Sequence, residues 1–330
     1  MAVQAETGGR PSGRTSRLAV LRERPILVLC ALLVALVIGL DLARPGMVSA
    51  GWISNTILFA APLGIVAAGQ TLVMLTGGID LSVATVMTAA AYVAASQSSF
   101  GTPRAIILAL GVGLVVGLVN GLGVAVFKVQ PLIMTLGMGL VVAGVLLVYS
   151  LAEVRGGPPQ VPPFVRFAGA DKLFGLLPVS LIPWAIIGLT ILVGLRRTGF
   201  GRLLYAVGDN PLACRLAGVR IWTVLLATYA ICGFLSAVAG LLLVGATNAA
   251  DLSLGDVYLL PSIAAVVIGG TSIYGGQGGY AGTIVGALML TVLNSLFTVL
   301  DAPDPVKQVL YGAIVLLLAA TYARAAADRD

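Results

Sequence analysis

Long apolar stretches separated by short polar breaks dominate the chain. A membrane-crossing helix needs about 20 apolar residues to traverse the hydrocarbon core. On that basis the pattern predicts ten spans, at 25–42, 57–75, 80–96, 105–127, 131–152, 176–195, 222–245, 258–270, 280–300 and 305–323. The eighth is short and is predicted to be either a full span or a broken or re-entrant helix, which gives eight to ten spans. The predicted fold class is an all-α, polytopic integral membrane protein.

Composition agrees with this pattern and excludes a soluble domain. The chain is 59% hydrophobic and 10% charged, and its mean hydropathy is +1.06. Too little polar material is present to cover a globular surface, so we expect the lipid bilayer to surround a single domain over 25–323. The polar ends, 1–24 and 324–330, are predicted to be cytoplasmic tails, with the first disordered. The net charge of +6 favours a role in topology over nucleic-acid binding.

Basic residues predict the orientation. With the N-terminus in the cytoplasm, thirteen of the 19 Lys and Arg residues fall on the inner side. The six on the outer side are Arg44, Arg104, Arg155, Arg166, Lys172 and Lys307. This is the bias expected of a membrane protein with both termini inside. The outer segment 153–175 is the longest, and its four prolines predict a semi-rigid loop with no regular helix, either a docking surface or a plain connector.

The inner segment 196–221 is the most distinctive break in the apolar pattern. It holds five arginines and contains a short predicted helix with its own start and stop signals. Asn210 can cap that helix, Pro211 suits its first position, and Gly218 can close it in a left-handed turn. Leu212 and Leu216 then share one face. A small bounded helix on a cytoplasmic loop predicts contact with a partner outside the membrane.

Few polar residues lie within the spans, and almost all are neutral. Ionisable groups inside membranes are costly and often functional. The candidates for a translocation pathway or gate are Gln70, Asp80, Asn120, Thr135 and Asn294. Asp80 follows Gly77 and Gly78, so it is predicted either to cap the third span or to form a gate. Asn120 and Asn294 suit pore lining or hydrogen bonding between helices equally well.

Glycine patterns predict both packing and a turn. Gly113, Gly117 and Gly121 recur every fourth residue, as do Gly282 and Gly286, which is typical of close helix packing. A flexible cytoplasmic turn is predicted where the eighth span ends, at Gly269, Gly270, Gly275 and Gly276. Histidine is absent and no cysteine pair has metal-ligand spacing, so no catalytic, metal or cofactor site is predicted in this chain.

Four ordered motifs resemble the membrane subunits of binding-protein-dependent ABC importers, in the ribose/xylose/galactose-type permease family. They are GQTLVMLTGGIDLSV at 69–83, PLIMTLG at 131–137, GRLLYAVG at 201–208 and IAAVVIGGTSIYGG at 263–276. The resemblance extends from about the second span to the C-terminus, and the order of the motifs makes it specific.

This resemblance implies that the short helix is the coupling helix, which docks on a cytoplasmic ATPase that binds ATP and Mg²⁺. It also implies an extracytoplasmic solute-binding protein, a second permease (an identical copy or a homologue), a bacterial inner-membrane location and alternating access for a monosaccharide or related neutral solute. Ala213, Arg215 and Gly218 match the family pattern. Pro211 and Leu212 replace its acidic and alanine residues, which shifts the expected ATPase contact from ionic to apolar.

Other functions remain open at this point. A permease for nucleosides or branched-chain amino acids has a similar architecture, although the neutral pathway and the 263–276 motif favour sugar. A secondary carrier normally needs buried ionisable relays, of which this chain has at most one. A membrane-embedded enzyme needs a base, a metal or paired carboxylates in the bilayer, and one aspartate without histidine argues against it.

Overall fold

The structure, a computed structural model, describes residues 25–153, 159–303, 305–313 and 316–317. Almost all of its regular structure is helical. The helices are α1 Pro25–Ala43, α2 Ala50–Leu75, α3 Val83–Ser96, α4 Thr102–Ala125, α5 Pro131–Glu153, α6 Pro163–Ala170, α7 Leu181–Arg197, α8 Gly199–Asp209, α9 Pro211–Leu216, α10 Ile221–Thr247, α11 Leu259–Ile268 and α12 Tyr280–Val299. Residues 305–313 are also helical. Two-residue strands, β1 Lys172–Leu173 and β2 Leu177–Pro178, form one antiparallel pair.

The all-α, polytopic class is confirmed, whereas the number of full-length spans is smaller than ten. Within the described residues, six helices are long and apolar enough to cross a membrane, or seven if the bent pair α7 and α8 counts as one. Each predicted span still corresponds to a helix. The third and eighth are short, at 14 and 10 residues, which rise only about 21 and 15 Å. The tenth, 305–323, and both predicted tails lie wholly or partly outside the described residues.

Helix α2 forms the centre of the bundle. All of its residues from Ala60 to Leu75 are buried, and α7, α10, α11 and α12 pack around it. The outer helices are far more exposed. Only 6% of an apolar 18-residue stretch of α1, and 22% of the corresponding stretch of α5, is buried. These exposed faces are apolar, as expected for helices whose solvent is lipid.

The predicted glycine seams are confirmed. A methyl group on Gly113 or Gly117 would collide with the backbone carbonyl of Gly233 or Tyr229 in α10, and one on Gly121 would lie 2.9 Å from the Leu226 Cα. Helices α4 and α10 therefore approach backbone to backbone. Gly282 and Gly286 meet the carbonyls of Gly269 and Ala265 in the same way, which brings α12 against α11.

Four segments that the charge pattern assigns to the cytoplasm meet at one end of the bundle. A methyl group on Gly78 would lie 3.5 Å from Pro131 Cβ, and one on Gly77 would lie 3.3 Å from the Tyr274 carbonyl. Gly208, at the end of α8, contacts Leu75 at the end of α2. The breaks after α2, α4, α8 and α11 therefore share one end, called here the coupling end.

The proline-rich segment differs from its prediction. The prediction that 153–175 contains no regular helix was wrong, because α6 begins at Pro163 within that range. Proline is tolerated in the first turn, where its missing N–H would have no helical partner. The four prolines precede or start this helix and do not interrupt it. Val165 and Gly169 bury its inner face against α10.

A segment of turns that ends in a single-turn 3₁₀ helix, Asp256–Tyr258, connects α10 to the short α11. Asn248 ends α10 in a left-handed conformation, at φ 52°. The chain then turns back into the bundle, where the Gly255 N–H donates to the Thr88 hydroxyl of α3 at 2.9 Å. Thr88 is buried in the middle of α3. The eighth predicted span, 258–270, therefore corresponds to the short helix α11, and the segment that precedes it lies partly inside the bundle.

We expect the α4–α10 contact to tolerate no added methyl group. Gly117→Ala should destabilise the protein by about 1–3 kcal/mol, because the new Cβ overlaps the Tyr229 carbonyl. Gly111→Ala, on the same helix, is the control, because its Cβ would meet nothing within 4 Å. The measurement is thermal unfolding of the purified protein in detergent. Equal midpoints for the two variants would contradict the close approach.

Candidate functional site

The short helix α9 has the boundaries that its sequence predicts. The Asn210 side chain accepts a hydrogen bond from the Ala213 N–H at 2.9 Å, and Pro211 occupies the first position. Gly218 has φ 79° and donates to the Arg215 carbonyl, while the Val219 N–H donates to Cys214 at 3.0 Å. This closure satisfies the last carbonyls of the helix. A six-residue helix is too short to be stable by itself, so these caps are needed to stabilise it.

Two leucines of α9 face outward without cover. Leu212 is 64% exposed and Leu216 is 82% exposed, whereas Cys214 between them is buried. Ala213 and Arg215 are also exposed. The two leucines lie four residues apart on one face, and this face is at the coupling end, on a loop with exposed arginines. The structure therefore leaves an apolar pair of side chains uncovered on a segment outside the apolar spans.

Helix α8 connects α9 to the core. It follows α7 after a bend of 70° at Thr198, whose hydroxyl accepts from the Gly201 N–H at 3.1 Å. Leu204 and Val207 are buried, so α8 lies flat against the bundle. Its last turn, at Gly208, contacts the Leu75 carbonyl with no room for a side chain. Helix α8 therefore connects α9 to the end of α2 through a direct backbone contact.

The glycine turn completes this junction. Gly270, Gly275 and Gly276 have φ of 88°, 90° and 72°, a region that favours glycine. Gly269 ends α11 and packs against α12. The Gly276 N–H donates to the Leu75 carbonyl at 3.0 Å. The Tyr205 hydroxyl of α8 donates to the Gly278 carbonyl at 2.9 Å. The turn therefore joins α2, α8, α11 and α12.

A buried polar cluster lies just inside this junction, where the chain enters α3. The Ser82 N–H and hydroxyl both donate to Asp80 Oδ1, at 2.9 and 2.6 Å. Asn120 of α4 donates through Nδ2 to the Ser82 hydroxyl at 2.9 Å. Thr135 of α5 accepts from the Leu81 N–H at 2.9 Å. All four side chains are buried, so the turn before α3 is held by α4 and α5 together.

The predicted capping role of Asp80 is wrong. Helix α3 begins at Val83, and the residue that precedes it is Ser82, whose side chain makes no capping hydrogen bond. The Asp80 carboxylate accepts its hydrogen bonds from Ser82, the residue before the first residue of the helix. The short Asp-x-Ser loop satisfies its own polar groups, which competes with a cap geometry.

Helix α10 adds two residues to the cluster that the sequence pattern missed. The thiol of Cys232 lies within hydrogen-bonding reach of Asp80, and the hydroxyl of Tyr229 lies against Gly78. Both side chains are fully buried. Tyr229 Oη and Asn120 Oδ1 have no hydrogen-bond partner among the described residues. No spacing in the sequence links residues about 150 positions apart; the packing of α10 against α2, α3 and α4 brings them together.

The remaining two pathway candidates lie elsewhere. Gln70 is completely buried in α2, and both polar atoms of its side chain lack partners among the described residues. Asn294 is exposed on α12 and lines a separate cavity. The five candidates are therefore not one site: Asp80, Asn120 and Thr135 come together, and Gln70 and Asn294 do not join them.

Hydrogen bonds between spans hold α2 to its neighbours. Trp184 of α7 donates to the Tyr280 hydroxyl at 2.9 Å, and that hydroxyl donates to the Gly64 carbonyl at 2.8 Å. The hydroxyls of Thr71 and Thr283 are 2.9 Å apart. These contacts join α2, α7 and α12 at buried positions, where an unmade hydrogen bond is costly.

Comparison with known proteins gives a consistent class. The chain is 36% identical to the ribose import permease protein of Escherichia coli K12 over 309 residues, which covers 91% of this chain and 93% of that protein. It is 34% identical to the fructose import permease protein of Rhizobium meliloti over 270 residues, with 79% and 74% coverage. It is 35% identical to the autoinducer 2 import system permease protein of Escherichia coli K12 over 304 residues, with 88% and 90% coverage. No solved structure matches the chain.

The bundle, the coupling end and these similarities define a multi-pass membrane permease. Residues 52–319 match the family model described as the permease component of branched-chain amino acid transport systems. The chain belongs to this permease family, which confirms the resemblance found in its motifs.

We expect the buried Asp-x-Ser pair to matter more than an exposed copy of the same motif. Asp251 and Ser253 repeat its geometry, with bonds of 2.7 and 2.6 Å that lower the pKa of the exposed Asp251. Ser82→Ala should cost about 1–3 kcal/mol, because it leaves Asn120 Nδ2 without its acceptor in a buried site. Ser253→Ala should change stability by about 0.5 kcal/mol or less, because water replaces the hydroxyl.

Thermal unfolding of both variants in detergent tests this difference. A Ser82→Ala midpoint equal to that of Ser253→Ala would mean that the cluster contributes nothing to the junction.

Proposed function

We propose that this chain is the transmembrane subunit of an ATP-driven importer for a monosaccharide or a related neutral solute. The observation that supports this most directly is α9: a capped helix at the coupling end whose two exposed leucines have no partner within the described chain. Its position suits docking on an ATPase. The relatives named for ribose, fructose and autoinducer 2 import support the sugar-like solute.

In this proposal the coupling end faces the cytoplasm of a bacterium and the chain sits in its inner membrane. The basic residues of 196–221 favour that orientation. ATP and Mg²⁺ bind to the partner ATPase, and this chain performs no chemistry itself. A solute-binding protein delivers the solute at the opposite end, and a second permease, identical or homologous, completes the pathway.

The contacts of α8 suggest how the ATPase drives the transport. When the ATPase subunits close, they move α9, and α8 moves with it because only Asn210 separates the two helices. Gly208 and Gly276 both meet the Leu75 carbonyl, so this motion reaches α2 and the turn at 76–82. That turn contains Asp80 and is held by α4, α5 and α10. We assign the Asp80 cluster the role of passing the displacement to these spans.

The family description names branched-chain amino acids, which makes an amino-acid importer the second candidate. The two are separated by uptake into proteoliposomes that contain the permease, its ATPase and its binding protein. Labelled ribose, fructose, xylose and galactose are compared with labelled leucine and uridine. We expect ATP-dependent uptake of one of the sugars. Uptake of leucine alone would favour the amino-acid importer, and uptake without the ATPase would favour a secondary carrier.

We expect α9 to be essential for coupling. Leu216→Asp should reduce solute-stimulated ATP hydrolysis at least tenfold, because it places a charge in the apolar contact with the ATPase. Ala217→Asp is the matched control: it adds the same charge in the next position, away from the face that Leu212 and Leu216 share. We expect this control to retain most of the stimulation. Wild-type stimulation in Leu216→Asp would contradict the coupling role.

A further inference from the structure

A polar cavity lies at the end of the bundle opposite α9. Its volume is about 470 Å³, which is within the range of small-molecule sites. It is formed by α2, by the residues before α11, by α12 and by the helix that starts at 305. Asn294 lies 14 residues beyond Tyr280, so along α12 it is about 21 Å from the coupling end.

The wall of the cavity contains a single-turn 3₁₀ helix, Asp256–Tyr258, which leads into α11. Asp256, Val257 and Tyr258 line it, and they belong to the segment that turns back into the bundle at Gly255. Irregular backbone is tolerated at membrane depth only where protein covers it or where it borders a water-filled space. The segment before α11 meets this condition, because Gly255 is buried and its N–H donates to the Thr88 hydroxyl, and the cavity lies beside it.

Neutral hydrogen-bonding groups face the cavity from two helices. Thr291 and Asn294 are three residues apart on α12, and Gln308 and Tyr311 are three residues apart on the last helix. Each pair therefore shares one helix face. Amides and hydroxyls offer donors and acceptors together, as a polyhydroxylated solute requires. Phe59 and Leu63 of α2 supply an apolar wall for the carbon face of such a solute.

The charges in the wall balance. Asp256 contributes one negative charge and Lys307 one positive charge, and the other residues around the cavity are neutral. The cavity therefore has no net charge that would attract an anion or a cation. A second cavity, between α4, α6, α7 and α10, is different in its polarity. Its lining contains only hydrophobic side chains.

We propose that this cavity is a solute subsite of the permease for a neutral, polyhydroxylated molecule of monosaccharide size. It receives the solute before the pathway opens toward the coupling end, and Asn294 and Gln308 provide its main hydrogen bonds. The proposal depends on the importer function above and adds a place and a chemistry for solute recognition within the permease itself.

Cysteine protection tests the subsite. Asn294→Cys is labelled from outside with a membrane-impermeant maleimide in proteoliposomes containing the complete transporter, and the wild-type chain, with its three cysteines, gives the background. Ribose, fructose, xylose and galactose are added with the binding protein. We expect the transported sugar to slow labelling at least fivefold. Ser295→Cys is the control, because residue 295 is adjacent but does not line the cavity.

Transport kinetics provide the second measurement. Asn294→Ala and Gln308→Ala should each lower the initial rate of sugar uptake about tenfold or more, while Ser295→Ala retains the wild-type rate. Co-purification of the ATPase with each variant shows that it has assembled. Unprotected labelling of Asn294→Cys together with normal uptake by both alanine variants would overturn the subsite. Protection by leucine and not by any sugar would overturn its chemistry.

The two proposals fail in different ways. If the wild-type complex imports none of the four sugars, the proposed function is wrong. If it imports one of them while residue 294 stays unprotected and both alanine variants import normally, the function stands and only the subsite is wrong.

Discussion

Every part of this permease depends on the requirement that polar backbone inside a membrane be covered or paired. Helix α2 meets this requirement by being buried along most of its length, and the other elements pack around it. The approaches to short α3 and α11, at 76–82 and 248–258, lie outside the α-helices. Both approaches are covered by protein: the first by α4, α5 and α10, the second by α3 through Thr88. The breaks are therefore located where the bundle can satisfy them.

Glycine is what allows this coverage at the coupling end. The Leu75 carbonyl receives the Gly276 N–H and touches Gly208, so three segments meet around one oxygen atom. A side chain on either glycine would separate them. The same atom is the C-terminal limit of α2 and the start of the turn that leads to Asp80. Because no flexible side chain intervenes, a shift of α8 is transmitted as a movement of rigid backbone, which suits coupling between an external partner and the spans.

Much of this could be predicted from the sequence where the signal is local. The apolar pattern located the helices, the glycine repeats located two seams, and Asn210, Pro211 and Gly218 fixed the limits of α9. The sequence also placed Leu212 and Leu216 on one exposed face. Prediction failed where the outcome depended on distant chain. The proline count suggested no helix over 163–170 because the burial of Val165 against α10 could not be foreseen. Asp80 seemed a cap because its nearest partner, Ser82, lay inside the predicted span.

The same dependence on distant parts of the chain explains why the five pathway candidates lie at different places in the structure. A polar residue in an apolar span indicates a function or a hydrogen bond, but its neighbours are set by helix packing. Asp80, Asn120 and Thr135 met because α3, α4 and α5 are consecutive and antiparallel. Asn294 lies on α12, far along the chain from α5, and lines the cavity at the end of the bundle opposite the coupling end. Helices α11 and α12 border both the cavity and the junction, and so does α2. It carries Leu75 at the junction and Phe59 and Leu63 in the cavity wall, about 18 Å apart along one helix from Leu63 to Leu75. One continuous helix therefore borders both the cavity and the junction, which is the arrangement that the proposed alternating access requires.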